Sequence, residues 1–218
     1  MTSVVFAGME AFDIVLYISG TAVVLGRRIM IIDLSDTGAI AKVIHQGMGM
    51  DSSKDIVHYR GIDYIQRIPR DEELEEFEEG VVFTVCGFNF PDSLPFRTDI
   101  LNIVTDSMPS CMDRITGLIC LKTADDSIVD NIIVRDVITE DDYERVIRSL
   151  NCKANYMYLY HDASDYENAL RCQLKQTVRF DKISAAMKRV VIKLTGDIFP
   201  DIKPSVIRKA FMRARKGA

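Results

Sequence analysis

Ser3-Val4-Val5-Phe6-Ala7-Gly8-Met9-Glu10-Ala11-Phe12-Asp13-Ile14 is the stretch that decides the fold. Its first half is a short apolar run ending on glycine, the pattern of a strand buried on both faces. An apolar helix, Ile14–Leu25, follows, and then a second strand, Arg28–Leu34 (RIMIIDL). Strand, turn, helix, strand is how a nucleotide-binding α/β domain opens. In such a domain the turn is glycine-rich and carries a Lys, because backbone N–H groups cradle phosphate and an ammonium neutralises it. The turn Gly8–Asp13 has one glycine, no Lys, no Ser or Thr, and two acids, Glu10 and Asp13. It reads as a phosphate-binding fold without its phosphate site, which favours binding or scaffolding over catalysis.

Strands and helices alternate along the rest of the chain. Further strands are expected at Ile62–Ile68, Val81–Cys86, Ile100–Thr105, Asn131–Val137 and Asn155–Leu159. Helices are expected at Asp71–Glu78, Pro109–Leu121, Thr139–Leu150, Ala163–Lys175 and Phe180–Ile198. Thr139-Glu140-Asp141-Asp142 resembles a capping box, with an acid three residues after the cap. This alternation predicts a doubly wound α/β domain: a mostly parallel sheet of about seven strands with helices on both faces, followed by a C-terminal basic amphipathic helix. Pro200 and Pro204 mark a boundary, giving an α/β domain over 1–199 and a tail over 200–218.

The chain has 218 residues and a net charge of −5. After Asp201 there is no acid and there are six basic residues, so subtracting the tail leaves about −11 on the body. An acidic body argues against nucleic-acid binding. The five cysteines are scattered, with no C-x-x-C, and read as reduced thiols of a cytoplasmic protein. The three histidines lie far apart, so no metal site is expected. The apolar runs fall short of the roughly 20 residues that cross a bilayer. Gly47–Asp55, which carries Met48 and Met50, reads as a connector or a partner-contacting loop.

The order of these segments resembles the MinD/ParA group of P-loop ATPases over most of residues 3–198. Asp13–Gly26 followed by Arg27-Arg28-Ile29-Met30-Ile31-Ile32-Asp33-Leu34-Ser35-Asp36 is similar to that group's first helix and "IIDLD" strand. Gly61–Ile65 is similar to its "GLDYI" strand, and Ile100–Ser107 (ILNIVTDS) to its "VLIVTDP" strand. Phe180–Ser184 is similar to the start of its closing helix. The resemblance implies an ATP site, and the departures fall on that site. Gly8, Glu10 and Asp13 stand where the phosphate loop belongs, and the acids would repel a polyanion. Val85, followed by Cys86 and Gly87, stands where the magnesium-binding Asp belongs, and cannot ligate a hard cation. Asp33 and Asp36 survive at the end of the second strand. They read as a magnesium pair or, with Thr37 and Gly38, as a helix cap.

The resemblance therefore implies a degenerate member, a non-catalytic pseudo-ATPase with no cofactor. Its CpaE/TadZ-like branch points to an adaptor that localises a pilus, secretion or cell-division machine in bacteria, acting by dimerisation or through a heteromeric protein partner. Gly8–Asp13, Asp33–Thr37 and Gly87–Asp92 are expected to lie side by side and form that interface. The alternative is a nucleotide or dinucleotide binder using a non-standard loop, with Asp33 on a ribose hydroxyl.

In the tail, Val206, Ile207, Ala210, Phe211 and Ala214 share one side of a helical wheel. Arg208, Lys209, Arg213, Arg215 and Lys216 lie on the other. Such a helix lies on an anionic membrane, as the membrane-targeting helix of MinD-type proteins does, or docks on protein, or contacts nucleic acid. The first use would put the protein peripherally at the inner face of the membrane.

Overall fold

The computed structural model describes residues 1–44, 56–77, 79–91, 93–124 and 128–216. The Gly47–Asp55 loop lies outside them. Among the described residues are eight strands: β1 (Thr2–Gly8), β2 (Ile29–Asp33), β3 (Val57–Tyr59), β4 (Ile62–Ile65), β5 (Val81–Gly87), β6 (Ile100–Thr105), β7 (Asn131–Val137) and β8 (Asn155–Tyr160). The same residues hold eight helices: α1 (Phe12–Val24), α2 (Ala39–Ile44), α3 (Asp71–Glu75), α4 (Pro109–Ala124), α5 (Glu140–Leu150), α6 (Ala163–Leu174), α7 (Ala185–Ile198) and α8 (Pro204–Ala214). The sheet order is β3-β4-β2-β5-β1-β6-β7-β8. Every pairing is parallel except β3 with β4.

β1 lies centrally because it is buried on both faces. Val4 and Phe6 face the layer of α1, α2, α6, α7 and α8, whereas Val5 and Ala7 face α4 and α5. That two-residue alternation is the pleat of a strand. α1 is apolar all round because it is enclosed: the sheet lies beneath it, and α7 and α8 pack against its other sides. Tyr17 stacks on Phe180 at 4.5 Å, and Phe180 meets Phe211 at 5.5 Å.

Three elements depart from expectation. β3 is an added strand, joined to β4 by a tight turn in which Arg60 and Gly61 both have positive φ. Three residues, one of them an exposed His, are too short to show a period. α2 follows β2 directly. α7 begins at Ala185 rather than at Phe180, because Ser184 caps it by accepting the Met187 N–H at 3.0 Å, and Phe180 and Ile183 point into the core. The capping box of α5 is present: Thr139 accepts the Asp142 N–H, and Asp142 accepts the Thr139 N–H.

Candidate functional site: the first turn and the C-terminal rim of the sheet

The crevice beyond the C-terminal ends of the strands is where open α/β sheets bind ligands. β1 enters it at Gly8, whose φ is +99°. A Cβ there would sit 2.3 Å from the Val104 carbonyl oxygen of β6, so only glycine fits. The next amide, Met9 N–H, donates to that oxygen at 2.8 Å. This glycine serves close approach to the neighbouring strand.

The N-terminus of α1 would ordinarily attract an anion. Here the chain supplies its own. Asp13 is 1 % exposed and accepts the Ile14 N–H at 2.9 Å. Both its oxygens are held by Arg135 of β7, Nη1 to Oδ1 at 2.7 Å and Nη2 to Oδ2 at 2.8 Å. Arg135 Nη1 also donates to the Glu10 carbonyl at 3.0 Å, so one guanidinium ties the turn to a strand 122 residues away. Burial pulls the guanidinium pKa down, but the Asp13 charge and hydrogen bonds outweigh it, and the net shift is upward.

Glu10 lies beside this pair. Its Oε2 accepts the Thr37 hydroxyl, and its Oε1 is buried without a hydrogen-bond partner among the described residues. Burial pushes its pKa up, and the nearby Asp33 and Asp13 charges add to that. The Thr37 hydroxyl and the Phe12 N–H pull the other way.

Asp33, at the end of β2, is 3 % exposed. Its Oδ1 accepts the Ser35 N–H at 3.0 Å and the Ser35 hydroxyl at 2.5 Å, and its Oδ2 accepts the Tyr64 hydroxyl at 3.3 Å. Burial raises its pKa. A carboxylate committed to three internal donors has little capacity left for a ribose or a cation. Asp36 binds Asn89 Nδ2 through both oxygens at 2.8 Å, so the capping role falls to Thr37, whose hydroxyl accepts the Ala39 N–H at 3.3 Å. Val85 and Cys86 are buried in β5, and Gly87 turns the chain with φ +56° against Ser35. The three loops thus meet as expected, through Glu10–Thr37 and Asp36–Asn89. Asp92 lies outside the described residues. Among the described residues, no three His, Cys, Asp or Glu side chains converge on a point that would hold a metal ion.

Sequence reading missed Arg135. The signal was present: one cation in the otherwise apolar start of Asn131-Ile132-Ile133-Val134-Arg135 requires a buried acid, and Asp13 opens an apolar helix. A cleft of about 290 Å³ opens over Arg135, between Phe12, Leu159, Tyr160 and the first turns of α6. Met108, Ile138 and Tyr166, which follow the ends of β6, β7 and β8, and Tyr160, the last residue of β8, are exposed by 62 %, 78 %, 68 % and 37 %.

The tail is placed differently from a free membrane helix. Ile207, Ala210, Phe211 and Ala214 are buried against α1 and α7, so they do not face outward to lipid. Of the apolar arc, only Val206 is exposed. Arg208, Lys209, Arg213 and Lys216 are exposed. Arg215 is half-buried: it donates to the Phe180 carbonyl at 3.3 Å and to the Asp181 carbonyl. Residues 199–204 form the turn between two packed helices, with Arg27 lying over the Phe199 ring at 5.5 Å. No helix among the described residues is long and apolar enough to cross a membrane. Of the cysteines, Cys86, Cys111 and Cys172 are buried, Cys152 is half-buried and Cys120 is exposed.

Neither a protein-family model nor a curated protein sequence matches the chain. Solved structures do. The MinC:MinD cell division protein complex of Aquifex aeolicus superposes with a TM-score of 0.64 at 12 % identity, over 90 % of this chain and 96 % of that one. A putative plasmid partition protein of Borrelia burgdorferi B31, bound to AMPPNP, gives 0.61 at 9 % identity, over 92 % and 98 %. The cell division ATPase MinD of Pyrococcus furiosus gives 0.56 at 13 % identity, over 93 % and 100 %. At such identities it is the fold that is shared, and the chain has the fold of the MinD/ParA proteins.

Proposed function

We propose that this protein is a pseudo-ATPase adaptor: a MinD/ParA-type body that binds proteins at the rim where its relatives in fold bind nucleotide. The observation that carries this reading is the Asp13–Arg135 pair at the N-terminus of α1. A phosphate would need the helix N-terminal donors, a mobile cation and a cradle of free amides. Asp13 holds the Ile14 N–H, Arg135 is neutralised by Asp13, and the Met9 amide belongs to the sheet. Glu10 adds a second acid to the same turn. A rim bearing four exposed large apolar side chains supports an interface. The MinC:MinD complex, which joins a protein of this fold to another protein, supports a protein partner or a second copy. We place the protein in the cytoplasm, attached to a localised machine through its partner.

Calorimetric titration of the purified chain with Mg·ATP and Mg·ADP tests this. The expected result is no binding up to millimolar nucleotide and no phosphate release. Micromolar binding would overturn the reading.

A further inference from the structure

β8 ends the sheet, and its outer edge carries no strand among the described residues. The Asn155 N–H donates inward to Asp130 at 2.8 Å, and the His161 N–H donates inward to Val137 at 3.0 Å. By the two-residue period of a strand, the N–H and C=O groups of Tyr156, Tyr158 and Tyr160 point outward. Natural sheets blunt such an edge with Pro, Lys, a bulge or brevity. The opposite edge does so: β3 is three residues long and closed by a tight turn. β8 is six residues, Asn-Tyr-Met-Tyr-Leu-Tyr, with no Pro, no charge and no bulge of its own.

A groove of about 200 Å³ runs beside this edge. The strand forms one wall, and Ala186, Arg189, Val190 and Lys193 of α7 form the other. Met157 and Val190 are buried and make its floor apolar. On the opposite face of the sheet Tyr158 and Tyr160, at 36 % and 37 % exposure, lie edge to face at 5.1 Å. A strand edge next to a helix is the geometry of strand addition. The backbone supplies affinity, and side-chain pockets on alternate residues supply selectivity.

Charge selects the occupant. Arg189 is exposed and makes no ion pair among the described residues, while Lys193 pairs with Asp197 at 3.0 Å and stays 48 % exposed. A second copy added antiparallel, about a two-fold axis perpendicular to the sheet, would put both α7 helices on one face. Two Arg189–Lys193 rims would then confront each other. We propose that the outer edge of β8 takes an extended, acidic segment of a partner protein, with its carboxylates toward Arg189 and an apolar side chain over Met157 and Val190. This inference rests on the edge and not on the first turn, so nucleotide binding would leave it standing.

The test is selection of short unstructured peptides from a displayed random library on the full chain, followed by fluorescence anisotropy on the enriched sequences. Peptides with Asp or Glu alternating with apolar residues are expected. Tyr158→Pro removes an outward N–H without touching the β7 ladder, and is expected to weaken binding about tenfold, whereas Tyr158→Thr keeps the N–H and is expected to lose less than about threefold. Arg189→Glu, on the surface, is expected to cost about tenfold. Peptide binding is also expected to slow hydrogen exchange at the Tyr158 and Tyr160 amides of the unmutated chain, a readout that stands if Tyr158→Pro fails to fold. Failure to enrich acidic peptides, or equal binding by Arg189→Glu, would overturn the proposal. So would a concentration-dependent dimer of the unmutated chain that Tyr158→Pro abolishes, since a second copy would then hold the edge.

Discussion

Residues 8–13 and residues 204–216 both stand out by charge: two acids in a turn with no cation, and a row of cations with no acid. The structure treats them in opposite ways. In the first turn the charges themselves are built into the fold, because Asp13 is buried and needs Arg135. In the last helix the charges stay outside, and the apolar stripe is built in, with Ile207 and Phe211 at 1 % exposure. A buried charge at a helix start requires an opposite charge, supplied here from 122 residues away. A charge pattern along a helix face says only which face is wet, and leaves open what the other face touches.

The sharpest way to break this comparison is at Arg135. Arg135→Ala leaves a buried carboxylate unpaired and is expected to cost about 3–5 kcal/mol in denaturant unfolding. Replacing both partners together, Asp13→Leu with Arg135→Met, is expected to recover most of that loss. If Arg135→Ala is near neutral, the pair is a surface contact and the turn is free for ligand.

Phe211→Ala comes next, with an expected loss of about 3 kcal/mol or more, because Phe180 and α1 close on that ring. A free tail would show no change in melting temperature. Arg215→Ala removes the hydrogen bonds to the Phe180 and Asp181 carbonyls and is expected to cost about 1 kcal/mol, whereas Arg213→Ala, on the wet face, is expected to stay within about 0.5 kcal/mol.

The smallest effect concerns Glu10. Its pKa is raised in the folded protein, so the folded state binds a proton more readily than the unfolded one. Its stabilising contribution is present below the ordinary carboxylate pKa and is lost as pH rises through the raised value. Glu10→Gln is therefore expected to raise the melting temperature by about 1–2 °C near neutral pH. That gain should fade on acidification, as the unmutated side chain takes up its proton. A gain that does not depend on pH would place the effect elsewhere than in this charge.

Much of the sheet was legible. Strands buried on both faces leave continuous apolar runs, and β1, β2, β5, β6 and β7 all read that way; β5 is also bounded by Gly80 and Gly87. β3 did not, because three residues carry no period. The start of α7 did not, because Phe180 and Ile183 look helical in apolar pattern while their burial comes from a loop tucked under α1 and α8. The loops around Gly8, Asp33 and Gly87 came together as the alternation implied, since parallel strands deliver their C-terminal ends to one side.

What the sequence determined by itself is local and chemical: alternating elements, an α/β sheet, and a first turn with two acids and no Lys. These follow from side-chain type and from periods of two and 3.6 residues, which need no knowledge of distant neighbours. Tertiary structure alone decided which cation meets Asp13, what covers the stripe of α8, and which strand is left at the edge. Each depends on parts of the chain brought together across long separations, and no local pattern records what a buried charge or an apolar face will find there.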